Sequence, residues 1–107
     1  MNALAKWVCA AGLASAMLAS PALAQDRPKI AVIPKGTTHA FWKSVEAGAR
    51  QAGEEFGAEI IWKGPLKEND RAQQIQVLQQ FVSQGVGGIA LAPLDFKGLV
   101  GPVKAAT

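Results

Sequence analysis

The chain has 107 residues, 11 basic and 8 acidic side chains, and is half hydrophobic. That is enough for one domain, and too apolar for a disordered chain. Its charges are interspersed, which excludes the basic stripe of a nucleic-acid binder. One cysteine and one histidine supply neither a disulfide nor a Cys/His metal cluster, and no cofactor is expected.

Composition divides at about residue 25. Before it stand Lys6, an apolar run from Val8 to Leu18, the break Ser20-Pro21, and Ala22-Leu23-Ala24. These are the three parts of a secretory signal peptide, with cleavage expected after Ala24. A membrane anchor is the competing reading. The apolar run falls short of the roughly 20 residues that span a bilayer, and Pro21 interrupts it, so no stable anchor is expected. Cys9 sits near the start of the run and leaves with it. Residues 25–107 keep ten basic side chains and all eight acids, a net charge of +2.

After a polar lead-in, Lys29–Pro34 is a nearly continuous apolar run. Lack of alternation suits a strand covered on both faces, as in a parallel sheet. A loop, Lys35–His39, follows. From Ala40, the residues Phe41, Val45, Ala49, Ala52 and Phe56 recur at helical spacing, and Gly57 is the expected stop. Gly48 reads equally as a site of close helix–sheet approach and as mere tolerance. Ala58–Trp62 is a second strand. Lys63–Asn69 is a loop, and Asn69 or Asp70 caps the next helix. That helix carries Ile75, Leu78, Phe81 and Val82 as its apolar stripe, with glutamines over the rest and Gly85 at its end. Gly88–Ala92 is a third strand. Phe96–Ala106 starts a weak third helix, with Asp95 as its cap. The order is β-α-β-α-β-α, an α/β fold with a parallel sheet and right-handed crossovers.

Ligands of open parallel sheets bind beyond the carboxyl ends of the strands. Here those ends are Lys35–Trp42, Lys63–Asp70 and Pro93–Phe96. The first holds Gly36, two threonines, His39 and the adjacent pair Phe41-Trp42. A sugar packs its C–H face on an aromatic ring and needs hydrogen-bond partners along its hydroxyl edge, so this combination suits one. By spacing, Phe41 falls in the helical stripe and reads first as core; Trp42 lies off it, balanced between site and structure. Asp95 reads as helix cap or hydroxyl ligand, the cap slightly ahead. His39 lacks the nucleophile of a triad and the second histidine of a metal pair. The glycines match neither a phosphate loop nor a dinucleotide fingerprint. Glu54-Glu55 lie side by side on a helix and do not converge, which leaves them a solvated face.

The stretch KIAVIPKGTTHAFWKSVEAG resembles the first strand, loop and helix of periplasmic solute-binding proteins of the ribose/galactose class, which share a fold with the lactose-repressor effector domain. The likeness continues through AGEEFGAEIIWKGP and DRAQQIQVLQQFVSQGVGGIALAPLD. It implies two similar α/β lobes closing on a ligand, with residues 25–107 as an incomplete first lobe of a truncated or partial protein. It further implies that Phe41, and less firmly Trp42, pack on the solute, and that His39 and Thr38 lie on the ligand-facing loop. Lys35 lies near the cleft, and Asp95 at its edge or near the hinge. His39 departs from the Asn or Asp often found there, which leaves a non-sugar solute open.

The expectation is therefore a binding component of an ABC-type importer for a sugar or related polar solute, partnered by a membrane permease. No catalysis is implied, and the present chain should bind weakly or not at all. A periplasmic sensing domain for a chemoreceptor or kinase is the alternative. A transcription regulator would need a helix-turn-helix where the export segment stands. A small exported enzyme lacks a catalytic constellation.

Overall fold

A computed structural model of the chain describes residues 26–107. The expected signal segment 1–24, its cleavage point and Cys9 lie outside the described residues. Three strands and three helices alternate: β1 (Lys29–Ile33), α1 (Ala40–Phe56), β2 (Glu59–Trp62), α2 (Arg71–Gln84), β3 (Gly88–Leu91) and α3 (Val100–Ala106). The strands form one sheet in the order β2-β1-β3, and both pairings are parallel. Ile30 is level with Ile60 and Gly88, and Ala31 with Ile61 and Ile89. The apolar central strand and the helical connections dictate this arrangement, because a parallel pair needs a crossover that covers the sheet.

The two long helices begin and end where their local chemistry requires. Asp70, of the two candidate caps, accepts the Gln73 N–H at 3.0 Å and starts α2. His39 caps α1 through Nδ1, which accepts the Phe41 N–H at 3.0 Å. Gly57 and Gly85 end the helices at φ 74° and 71°, a left-handed conformation that a Cβ disfavours. The third helix is shorter than the expected stretch. Phe96–Leu99 form a turn, and α3 proper starts at Val100 without a side-chain cap.

The core lies on one face of the sheet. Ala31 and Ile33 point to it from β1, and Val77, Leu78, Phe81 and Leu99 close over them, all buried. Ile61, Ile89 and Leu91 pack against this cluster. The apolar stripe of α2 is thus shifted from the expected one: Val77 joins it, Ile75 is half-buried, and Val82 is exposed. Gln74 sits in the same stripe, completely buried.

The other face carries Ile30 and Ile60, and α1 packs there. Its inward line is Trp42, Val45, Ala49 and Gly53, not the expected Phe41–Phe56 line; Phe41 is 59% exposed and Phe56 82%. The close helix–sheet approach occurs at Gly53, where a Cβ would meet Ile60 Cγ1 at 2.5 Å; at Gly48 there is open space. Gly48 is therefore simple tolerance.

Candidate functional site

All three strands point their carboxyl ends to one rim, as parallel pairing demands. The loops leaving that rim are held close together. Thr37 Oγ1 donates to Pro65 O and Thr38 Oγ1 to Leu66 O, each at 3.2 Å, joining the β1–α1 loop to the β2–α2 loop. Gly36 lets them approach: a Cβ there would meet Glu68 Cγ at 2.9 Å. Pro34 and Pro65 are fully buried beneath.

Lys35, Thr38, His39, Phe41 and Trp42 line one open hollow of about 550 Å³, with Leu66, Lys67 and Glu68 opposite. Five of the six residues singled out from the sequence thus converge. Phe41 and Trp42 meet edge to face, with ring centroids 4.9 Å apart and planes at 81°. The Trp42 indole N–H donates to the Glu68 carboxylate. That bond orients the indole across the loop junction, a charge-assisted contact tempered by solvent. Because His39 Nδ1 accepts from the backbone, the neutral ring carries its proton on Nε2 as a donor. The hollow therefore combines aromatic surface with hydrogen-bonding groups of both kinds.

Asp95, the sixth residue, lines a neighbouring hollow with Asn69, Asp70, Arg71 and Leu94; Glu68 borders both. Its Oδ1 accepts the N–H of Lys97 at 2.7 Å and of Gly98 at 2.8 Å, and its Oδ2 accepts from Arg71 Nη1 at 2.7 Å. The Gly98 and Lys97 amides, and then the Arg71 guanidinium, hold its carboxyl below the usual carboxylate range. Asp95 organises the turn ahead of α3, close to the cap role expected of it.

Two rim residues escaped the sequence reading. Glu68 lies in a loop assigned to the rim but has no helical or strand period to single it out. Gln74 was grouped with the polar glutamines of α2. Its Nε2 donates to Pro34 O at 3.0 Å and to Ala92 O at 2.8 Å, and its Oε1 accepts the Leu94 N–H at 2.8 Å. A buried carbonyl without a donor costs about 1–3 kcal/mol, so this amide contributes to the integrity of the rim. A signal was available: Gln74, Val77, Leu78 and Phe81 follow the i, i+3, i+4, i+7 spacing of a buried face.

An open three-stranded parallel sheet with loops gathered at its carboxyl rim is the architecture of a ligand-binding α/β domain. Residues 30–107 match the family described as periplasmic binding protein domain. The chain belongs to that family. A D-ribose/D-allose-binding protein of Pseudomonas aeruginosa is 32% identical over 83 residues, covering 76% of this chain and 26% of the relative. Among solved structures, a carbohydrate transporter solute binding protein from Agrobacterium radiobacter, in complex with D-arabinose, is 35% identical with a TM-score of 0.75. The match covers 77% of this chain and 28% of that one. An ABC transporter solute binding protein from Agrobacterium vitis, bound to α-D-tagatopyranose, is 36% identical with a TM-score of 0.71, over 75% of this chain and 26% of that one. The chain spans about a quarter of the length of these relatives. All three are described as binding proteins rather than enzymes.

Proposed function

We propose that this chain contributes one wall of the solute cleft of a periplasmic sugar-binding protein, and that the protein delivers its solute to an ABC-type permease. Residues 1–24 are the export signal in this reading, cleaved after Ala24. The observation that carries it is the exposed Phe41 ring, edge to face with Trp42, in the hollow that Lys35, Thr38, His39 and Glu68 also line. A sugar ring offers a C–H face to Phe41 and Trp42. Its hydroxyls donate to the Glu68 carboxylate and accept from Lys35 and His39. Asp95 acts from the adjoining hollow, chiefly by fixing its turn.

The sugars named for the relatives support a polyol of this class. A hollow open on its outer side encloses little of a ligand, so binding by this wall alone is weak. Titrating the chain with D-arabinose, D-tagatose and D-ribose, followed by backbone amide NMR, tests the reading. The expected result is sugar-dependent shifts clustered at Thr37–Trp42. Phe41→Ala weakens them several-fold, as loss of an aromatic contact of about 0.5–1.5 kcal/mol requires. Glu54→Ala, on the solvated side of α1, leaves them unchanged. Equal behaviour of the two variants removes Phe41 from the site.

A further inference from the structure

The backbone ladder between β1 and β3 ends at the Ala92 N–H, which donates to Ile33 O at 3.0 Å. It does not continue to the next residues that face across this pair, Lys35 and Leu94, between which no backbone bond forms. The carbonyls of Pro34 and Ala92 and the N–H of Leu94 are therefore left at the point where the two loops diverge. The Gln74 side chain meets all three. The next residues along the two strands are Lys35 and Asp95, one for each hollow.

We infer that Gln74 is a positioning residue that sets the gap between the Lys35–Trp42 loop and the Asp95 turn, and thereby makes two neighbouring hollows one ligand-facing surface. The ligand-facing half of this statement rests on the sugar-binding reading; the coupling of the two loops does not. A primary amide is the group the position requires. Its two N–H bonds serve two carbonyls, and its oxygen serves one N–H. Glutamate has the same shape, but its ionised carboxylate would face the Pro34 and Ala92 oxygens with no hydrogen to offer. Protonated, it recovers one of the two donations. Leucine fills the space and offers neither donor nor acceptor.

Gln74→Glu, Gln74→Leu and, as control, Val77→Ala in the full chain test this by amide NMR. Val77 is buried on the same helix and touches the core, not the rim. Gln74→Leu is expected to move the amide signals of Lys35–Thr38 and Leu94–Gly98 together, while Val77→Ala leaves them in place. Gln74→Glu is expected to show the displaced pattern at neutral pH and to return toward wild type as the pH falls through the raised pKa of the buried acid. The control variants and wild type show no such return. If Gln74→Leu folds and leaves both loops unmoved, or if Val77→Ala moves them equally, the inference is overturned. Should Gln74→Leu not fold, the pH-dependent return in Gln74→Glu decides, and its absence is equally fatal. With D-arabinose as probe, wild type is expected to bind about tenfold more tightly than Gln74→Leu, a loss the size of one or two buried hydrogen bonds. Loops that move together in a chain whose wild type gives no D-arabinose shifts would keep the coupling and sink the sugar reading; a sugar response unchanged by Gln74→Leu would overturn the ligand-facing half of the inference.

Discussion

The two faces of the sheet are held in different ways. On the α2 face, Ala31, Ile33, Val77, Leu78, Phe81 and Leu99 are all buried, and that face carries the described core. On the α1 face the only buried residue of the helix is a glycine, Gly53. There the sheet and helix meet through a backbone approach, and α1 is tied at its start by the His39 cap and the Trp42–Glu68 bond. One face is thus a packed apolar interface. The other is a close-fitting contact whose upper end is the candidate site. Stability should reside in the first; the geometry of the site draws on both, on α1 for its aromatic side chains and on Gln74 of α2 for the spacing of its loops.

The largest expected effect tests that division directly. Leu78 is 1% exposed, so Leu78→Ala should cost about 2–5 kcal/mol, the range for a buried leucine that leaves a cavity. Val45→Ala, on the half-buried line of α1, should cost clearly less. Urea denaturation followed by circular dichroism measures both, and similar losses would erase the distinction between the faces.

A smaller and more pointed pair concerns the glycines of α1. Gly53→Ala places a Cβ at 2.5 Å from Ile60 Cγ1 and 2.8 Å from Ala58 O, and should destabilise by about 1–3 kcal/mol through overpacking. Gly48→Ala meets nothing within 4 Å and should stabilise by about 0.5–1 kcal/mol, by restricting the unfolded chain and improving helix propensity. Opposite signs from one substitution on one helix would sharpen the account of the α1 face. The same sign at both positions would break it.

The smallest effect is the pH response of the Asp95 turn. Its carboxyl is lowered in the folded chain, so the protein gains stability from it above the ordinary carboxylate pKa. That gain is lost as the pH falls through the lowered value. Asp95→Asn should therefore flatten the acid limb of the stability profile slightly. Unchanged acid sensitivity would show that the Lys97 and Gly98 amides and Arg71 do little for the ionised form. The contribution is small because Asp95 is only half-buried and its partner Arg71 is solvent-exposed, so water screens the charges.

The elements themselves were legible. The apolar runs at Lys29, Ala58 and Gly88, the glycines at 57 and 85, and the Asp70 cap each stand within a residue or so of their expected place. So was the rim, because parallel strands can send their carboxyl ends only one way. Helix faces were less legible. Phe41 was read as core because it shares a spacing with Val45 and Ala49, but Trp42 shares a spacing with the same two residues and faces inward instead. Periodicity allows both lines when neither flank is polar. Gln74 is a different case: its spacing with Val77, Leu78 and Phe81 marks the buried face, but what an amide does there is not legible until its partners are known. Those partners, at Pro34, Ala92 and Leu94, lie 40, 18 and 20 residues away along the chain.

By itself, the sequence determined the order of strands and helices, the parallel class of the sheet and the rim at which a ligand would be met. Those follow from local propensity, apolar runs and the geometry of crossovers, all readable within about 20 residues of chain. Tertiary structure alone decided that Gly53 and not Gly48 makes the close approach, that Trp42 turns inward while Phe41 stays in solvent, and that a buried glutamine joins two loops. Each of those is set by an atom from a distant segment arriving within bonding or clashing distance, and no local pattern encodes such a meeting.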